Sequence, residues 1–356
     1  MKMSKKISNK QGLSETGVIG LLGFILGVFV AGVGAAAVWY AHPSQVSALK
    51  PIRESDLNPN GPFKFTDPLI GLSAADASQT SSQYGDLANK IDNYLQAQKS
   101  KGLISASVNF RDINAQARIV INPNEIYTPG SLYKVPLMMA YYKLAEEDPA
   151  ILSQELYYTG EQNLDVGENV KSPVQLTPGK SYSIEALIEH MIRYSDNNAD
   201  QLLLKNLLAT GKRAALTDIF NDLNITFGSL STNTDLLTSQ KYTLFLRVLY
   251  NATYLDRTYS EKALALMSQS DFTQGIAASV PNSVQISHKF GDANIVSSGS
   301  LVGVELHDCG IVYVPGHPYI LCVMSKGTNL SELEAVLSTV SALIYKDMET
   351  RYPLQK

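Results

Sequence analysis

Gly130-Ser131-Leu132-Tyr133-Lys134-Val135-Pro136-Leu137-Met138-Met139-Ala140-Tyr141-Tyr142 reads as a turn that runs directly into a strongly apolar helix. Ser131 and Lys134 are three apart, so on a helix they share a face and an amine comes within reach of a hydroxyl. A serine hydroxyl is a weak nucleophile until a base takes its proton. Lysine can be that base only when neutral, and burial among neighbours such as Val135, Leu137, Met138 and Met139 favours the neutral form. Pro136, in the second turn, has no N–H and leaves the Leu132 carbonyl without its helical partner. Taken alone the S-x-x-K spacing says little. It occurs again from Ser47 to Lys50 in a proline-containing stretch, and a serine before a helix is ordinarily an N-cap. The surrounding chain has to decide.

Upstream, Gly17 to Tyr40 is an uncharged, almost wholly apolar run preceded by Lys2, Lys5, Lys6 and Lys10. As a helix it rises about 36 Å, more than the roughly 30 Å hydrocarbon core. The lysines predict a cytoplasmic tail over 1–16, a transmembrane anchor over 17–40 and everything later outside the cytoplasm. Trp39 and Tyr40 suit the outer interface. The run is longer than a usual secretory h-region, which favours a retained anchor over a signal peptide cleaved near Ala35-Ala36-Ala37. Residues 41–82 carry Pro43, Pro51, Pro59, Pro62 and Pro68 and read as an extended tether with little structure of its own. The expected localisation is the cell membrane, single-pass. The net charge of −4 and the absence of a long basic run downstream argue against a nucleic-acid partner.

From 83 to 356 the pattern resolves into one domain. Tyr84 to Ser100 is helical. Ala106 to Arg111 and Ala117 to Ile121 alternate as strands around Asp112-Ile113-Asn114. The Ser131 helix runs to about Glu147, and 150–182 reads as a looser stretch. Helices follow from Ile184 to Arg193, capped by Ser183, then over about 198–209, 213–221, 239–251 and 260–270. Strands over about 283–290, 308–314 and 319–325 and a helix from Ser331 to Met348 close the chain. Short connections make neighbouring strands antiparallel. The expected fold is α+β within the broad α/β class: a five-stranded antiparallel sheet flanked by helices, with an inserted all-helical lobe. Ser131 opens the helical block, so it lies at the seam between sheet and lobe, where a cleft forms.

Cys309 and Cys322 lie in two apolar runs joined by Pro315-Gly316-His317-Pro318, a hairpin. If Val314 faces Tyr319, the cysteines are diagonal neighbours on one face, a long spacing for a disulfide. Two buried free thiols are expected, although an oxidising compartment permits a bond. The pair is not C-x-x-C, so a metal site is not supported; no cofactor is expected.

Two further stretches accompany Ser131. Tyr194-Ser195-Asp196-Asn197-Asn198-Ala199-Asp200 contains the only Ser-Asp-Asn of the chain and falls between two helices. Such residues also favour ordinary polar turns. Ser287-His288-Lys289-Phe290-Gly291-Asp292 ends a late strand. Alternation puts Lys289 and Gly291 on one face and His288 and Phe290 on the other. Gly291 would let another backbone approach closely, and His288 reads as a packed histidine.

Ser-x-x-Lys opening a buried helix, then Ser-Asp-Asn between helices, then Lys-x-Gly on a late strand resembles the serine β-lactamase and penicillin-binding protein superfamily. The likeness is greatest to the class A β-lactamase catalytic domain, over about Ser105 to Met348. It implies Ser131 as acylated nucleophile, Lys134 as its base, Ser195 as proton relay and Lys289 as a source of positive potential. It implies a substrate-binding set of Asn197, Phe290, Gly291 and Asp292, with Asn197 holding the substrate amide. The backbone N–H groups of Ser131 and Asp292 would form the oxyanion hole. The implied substrate is a β-lactam or a peptidoglycan-derived peptide. The alternative is a non-catalytic wall-binding or sensing module on the same fold, and an esterase using the same serine is a third reading.

The chain departs from the family pattern at two points. Class A enzymes deacylate with a glutamate in an Ω-loop, whereas the segment Asn224 to Thr238 offers only Asp235. A strand hydroxyl normally meets the substrate carboxylate, and here Phe290 replaces it, with Asp292 close by. The sequence therefore predicts slow deacylation and a site that disfavours free carboxylates.

Overall fold

The structure, a computed structural model, describes residues 62–68, 80–161, 163–166, 168–226 and 236–353. The basic tail 1–16, the apolar run 17–40 and most of the tether expected over 41–82 lie outside the described residues, as does Asp235. Among the described residues no helix is long and apolar enough to cross a membrane.

Strands β1 (Leu103–Asp112) and β2 (Ala117–Ile121) come first. Strands β5 (Ile286–Ser297), β6 (Ser300–Val312) and β7 (Tyr319–Gly327) come last. They form one sheet in the order β2-β1-β7-β6-β5, antiparallel throughout. Period-two alternation splits its faces. Tyr319, Leu321 and Val323 of β7 enter one core, with Leu87, Ile91 and Leu95 of helix α1 (Gly85–Gln98) and Val336, Leu337, Val340 and Ile344 of the C-terminal helix (Leu330–Arg351). Ile320, Cys322 and Met324 point the other way, into the core of the helical lobe. That lobe contains α2 (Lys134–Glu147), α3 (Ile184–Arg193), α4 (Asn197–Ala209), α5 (Ala214–Asp222), α6 (Ser239–Tyr250) and α7 (Arg257–Met267). The predicted α+β architecture holds.

Several boundaries differ from the sequence reading. β5 and β6 run on to a turn at Ser298 and Gly299, both with positive φ. The hairpin tip exposes Val296, Leu301 and Val302, so it carries no inward-outward pattern to read. The looser stretch contains a second, two-stranded sheet, β3 (Glu155–Tyr158) with β4 (Lys180–Ser183). Helix α7 begins at Arg257, earlier than expected, because Asp256 caps it by accepting from the Tyr259 N–H at 2.8 Å.

The two cysteines are not free thiols: Cys309 and Cys322 form a disulfide. The register pairs Val312, not Val314, with Tyr319, which sets the cysteines directly opposite one another with Cα atoms 3.9 Å apart. Directly facing positions on adjacent strands are closer than diagonal ones.

Part of the expected tether is fastened. The Glu261 carboxylate on α7 accepts from the Phe65 and Thr66 N–H groups at 2.8 and 2.9 Å. The Phe65 ring meets Tyr313 edge-on at 5.3 Å.

Candidate active site

Ser131 lies in a 3₁₀ turn, Gly130–Tyr133, that leads into α2. The carbonyl that Pro136 orphans does not go unpaired: the Tyr242 hydroxyl of α6 donates to Leu132 O at 3.2 Å. The break in the helix ladder is thus repaired from another helix, and the turn can hold a shape that a plain helix start would not.

Lys134, the first residue of α2, is 2 % exposed. Its Nζ donates to Ser195 O at 2.5 Å, to Ser195 Oγ at 3.2 Å and to Asn197 Oδ1 at 2.6 Å. Burial lowers its pKa, against the opposing charges of Asp200, Glu168, Asp196 and Asp165. Burial thus acts in the direction that a general base requires.

Ser195 occupies the left-handed region, φ 59°, which is uncommon for a non-glycine residue. This backbone sets both its carbonyl and its hydroxyl against Lys134. Asp196 holds the turn from behind. One carboxylate oxygen caps α4 by accepting from Asn198 and Ala199 N–H at 2.8 and 3.0 Å, and the other accepts from Leu176 N–H at 3.1 Å. The polar turn between helices is thus buried and strained, as functional turns often are.

The opposite wall is β5. Lys289, fully buried, donates to the same Ser195 Oγ at 2.9 Å and to Phe290 O at 3.0 Å. Burial first, and then the neighbouring Lys134, push its pKa well down. Ser195 Oγ is therefore shared by two lysines from two walls. Phe290 stacks on Phe272 at 4.3 Å, and Lys289 Nζ lies 4.0 Å from its ring centroid. His288 is the packed histidine expected, with Nδ1 2.9 Å from Asp308 Oδ1. At Gly291 a Cβ would lie 2.4 Å from Pro129 O and 2.8 Å from Leu132 N, and at Gly130 one would lie 2.2 Å from Asp292 O. Only glycines allow β5 to approach the Ser131 turn this closely, which brings the backbone of Ser131 beside that of Asp292.

Sequence reasoning missed the connection between β3 and β4. The Asn197 N–H donates to Asp165 Oδ1 at 2.9 Å, and Asn198 Nδ2 donates to Asp165 Oδ2 at 2.6 Å. Asn197 Nδ2 donates to Glu168 Oε1. Asn169 Nδ2 reaches across to Asp292 Oδ2 at 3.2 Å and Asn294 Oδ1 at 3.0 Å. Burial, with help from Asp165 and Asp292, raises the Glu168 pKa to about 7. The one available signal was composition: Asn163, Asp165, Glu168 and Asn169 crowd a stretch with no periodicity.

Against known proteins, the fold is well represented. PBP-A has a TM-score of 0.61 at 19 % identity, with 75 % of this chain and 97 % of that chain covered. A class A beta-lactamase from Mycobacterium abscessus has a TM-score of 0.58 at 18 % identity, covering 72 % and 99 %. A beta-lactamase from Sphaerobacter thermophilus has a TM-score of 0.61 at 18 % identity, covering 76 % and 98 %. No curated protein matches the chain. The profile described as the beta-lactamase enzyme family matches residues 86–348, a span that includes Ser131, Lys134, Ser195 and Lys289; the chain belongs to that family.

Proposed function

We propose that this chain is a membrane-anchored, extracytoplasmic serine hydrolase that forms an acyl-enzyme at Ser131 with β-lactams or peptidoglycan-like peptides. The observation that carries this reading is the buried Lys134 amine, held by Ser195 and Asn197 on the turn that bears Ser131. Neutral Lys134, directly or through a water, takes the Ser131 proton as Oγ attacks the carbonyl carbon. The backbone N–H groups of Ser131 and Asp292 receive the developing oxyanion. As the C–N bond breaks, Ser195 Oγ, 3.2 Å from Lys134 Nζ and 2.9 Å from Lys289 Nζ, passes a proton to the leaving nitrogen. Water then cleaves the ester. A PBP-A variant is known as an acyl-enzyme complex with penicillin G, which supports the same first half-reaction here.

Intact mass spectrometry of the full chain with a penicillin, followed over time, tests this. The expected result is a one-to-one adduct that forms quickly, decays slowly and is absent in Ser131→Ala. An adduct undiminished in Ser131→Ala ends the mechanism. The anchor rests on the lysine-flanked run 17–40. Protease added to intact spheroplasts is expected to remove the domain, and survival of the domain until lysis refutes the orientation.

A further inference from the structure

Asn197 has two ends, and both are taken. Its Oδ1 accepts from Lys134 at 2.6 Å. Its Nδ2, the group that would hold a substrate amide oxygen, has two N–H donors: one goes to Leu164 O at 3.4 Å and the other to the Glu168 carboxylate. Glu168 is set there from both sides. Asp165, three residues earlier, is tied to Asn197 and Asn198 on the lobe. Asn169, next in the chain, is tied to Asp292 and Asn294 on β5. These residues therefore cross the mouth of the cleft from lobe to sheet, with Glu168 on the Asn197 N–H that Leu164 O leaves for a substrate amide oxygen.

We propose that Glu168 is a specificity-determining residue. Its carboxylate stands in for the substrate's amide oxygen on Asn197, is displaced on binding, and favours substrates with a cationic group beside that amide. The inference rests on the acyl-enzyme reading and names its substrate class. The charges facing Glu168 are Lys134 from α2, Lys289 and Asp292 from β5, and Asp165 from its own connection. In the reactive state Lys134 is an uncharged amine. Of these groups Lys289 is then the one cation facing three carboxyl groups, and burial disfavours its charged form as well. A displaced Glu168 remains beside Asp292, so an arriving ammonium gains two partners while an arriving carboxylate meets like charge in a shielded cleft.

The test uses three penicillins identical except at the carbon next to the side-chain amide, which bears hydrogen, an ammonium or a carboxylate. Second-order acylation constants are measured on the full chain as wild type, Glu168→Gln and Glu168→Ala. Wild type is expected to prefer ammonium over carboxylate by about tenfold or more, as for a partly buried charge pair. Glu168→Gln keeps an acceptor for Asn197 but loses the charge, so the ratio shrinks several-fold. Glu168→Ala also frees the donor, and acylation by the unsubstituted penicillin rises by about five- to tenfold, the scale of one hydrogen bond. An unchanged ratio in Glu168→Gln, or slower acylation in Glu168→Ala, overturns the proposal. So does normal acylation with a longer-lived adduct, which would make Glu168 the base that activates water. If no protein forms an adduct, the acyl-enzyme reading fails by itself. The Glu168 proposal is then judged by ligand-observed NMR on Ser131→Ala with and without Glu168→Ala. Equal affinities for the unsubstituted penicillin in those two proteins overturn it.

Discussion

On the lobe wall of the cleft, Lys134, Ser195 and Asn197 are positioned by side-chain hydrogen bonds, with Asp196 and Asp165 fixing the turn behind them. On the sheet wall, Lys289 to Asp292 are positioned by backbone approach, through two glycines that leave no room for a Cβ. The first wall depends on chemical identity, the second on volume. A substitution that keeps size but changes chemistry should therefore hurt the lobe wall most, and one that adds a single methyl group should hurt the sheet wall most.

The largest effect expected is for Lys134→Ala. Loss of the base should slow acylation by about 10²- to 10⁴-fold. Because burial lowers the Lys134 pKa, wild-type acylation rises as pH climbs through that value and the amine loses its proton. The variant should lose this limb. Stopped-flow acylation across pH checks both points, and a rate within tenfold of wild type breaks the assignment.

Gly291→Ala comes next. The new Cβ would press on Pro129 O and Leu132 N, separating β5 from the Ser131 turn. The expected cost is about 1–3 kcal/mol of stability and on the order of tenfold in acylation, where small displacements of reacting groups matter. Unchanged denaturant midpoint and rate would show that the sheet wall is not held by contact.

The smallest effect concerns the residue between the walls. The folded-state pKa of Glu168, about 7, lies above its ordinary 4.5. The folded state therefore binds the proton more tightly, and stability is lost as pH rises from about 4.5 through about 7. Glu168→Gln removes that loss, so the variant should gain on wild type between pH 5 and pH 8. The gain is on the order of 1 kcal/mol after allowance for solvent screening of a half-exposed group. Urea unfolding at the two pH values measures it. A gap that does not widen at pH 8 contradicts the shifted carboxyl.

The amino-acid sequence by itself determined the helix that follows Ser131, the placement of Ser195 in a turn between two helices, the facing of Lys289 and Gly291, and the five strands of the main sheet. Each follows from spacing along a regular element, where period 3.6 or 2 converts position into direction. Tertiary structure alone decided the rest. The bond between Cys309 and Cys322 depended on a two-residue difference in hairpin register, which the Pro-Gly turn left open. The Tyr242 hydroxyl found the Leu132 carbonyl across 110 residues of chain. Asp165 and Glu168 reached Asn197 from an irregular connection, where no periodicity says which way a side chain points. Such contacts depend on how distant segments pack, and that is set only when the sheet and the lobe close on each other.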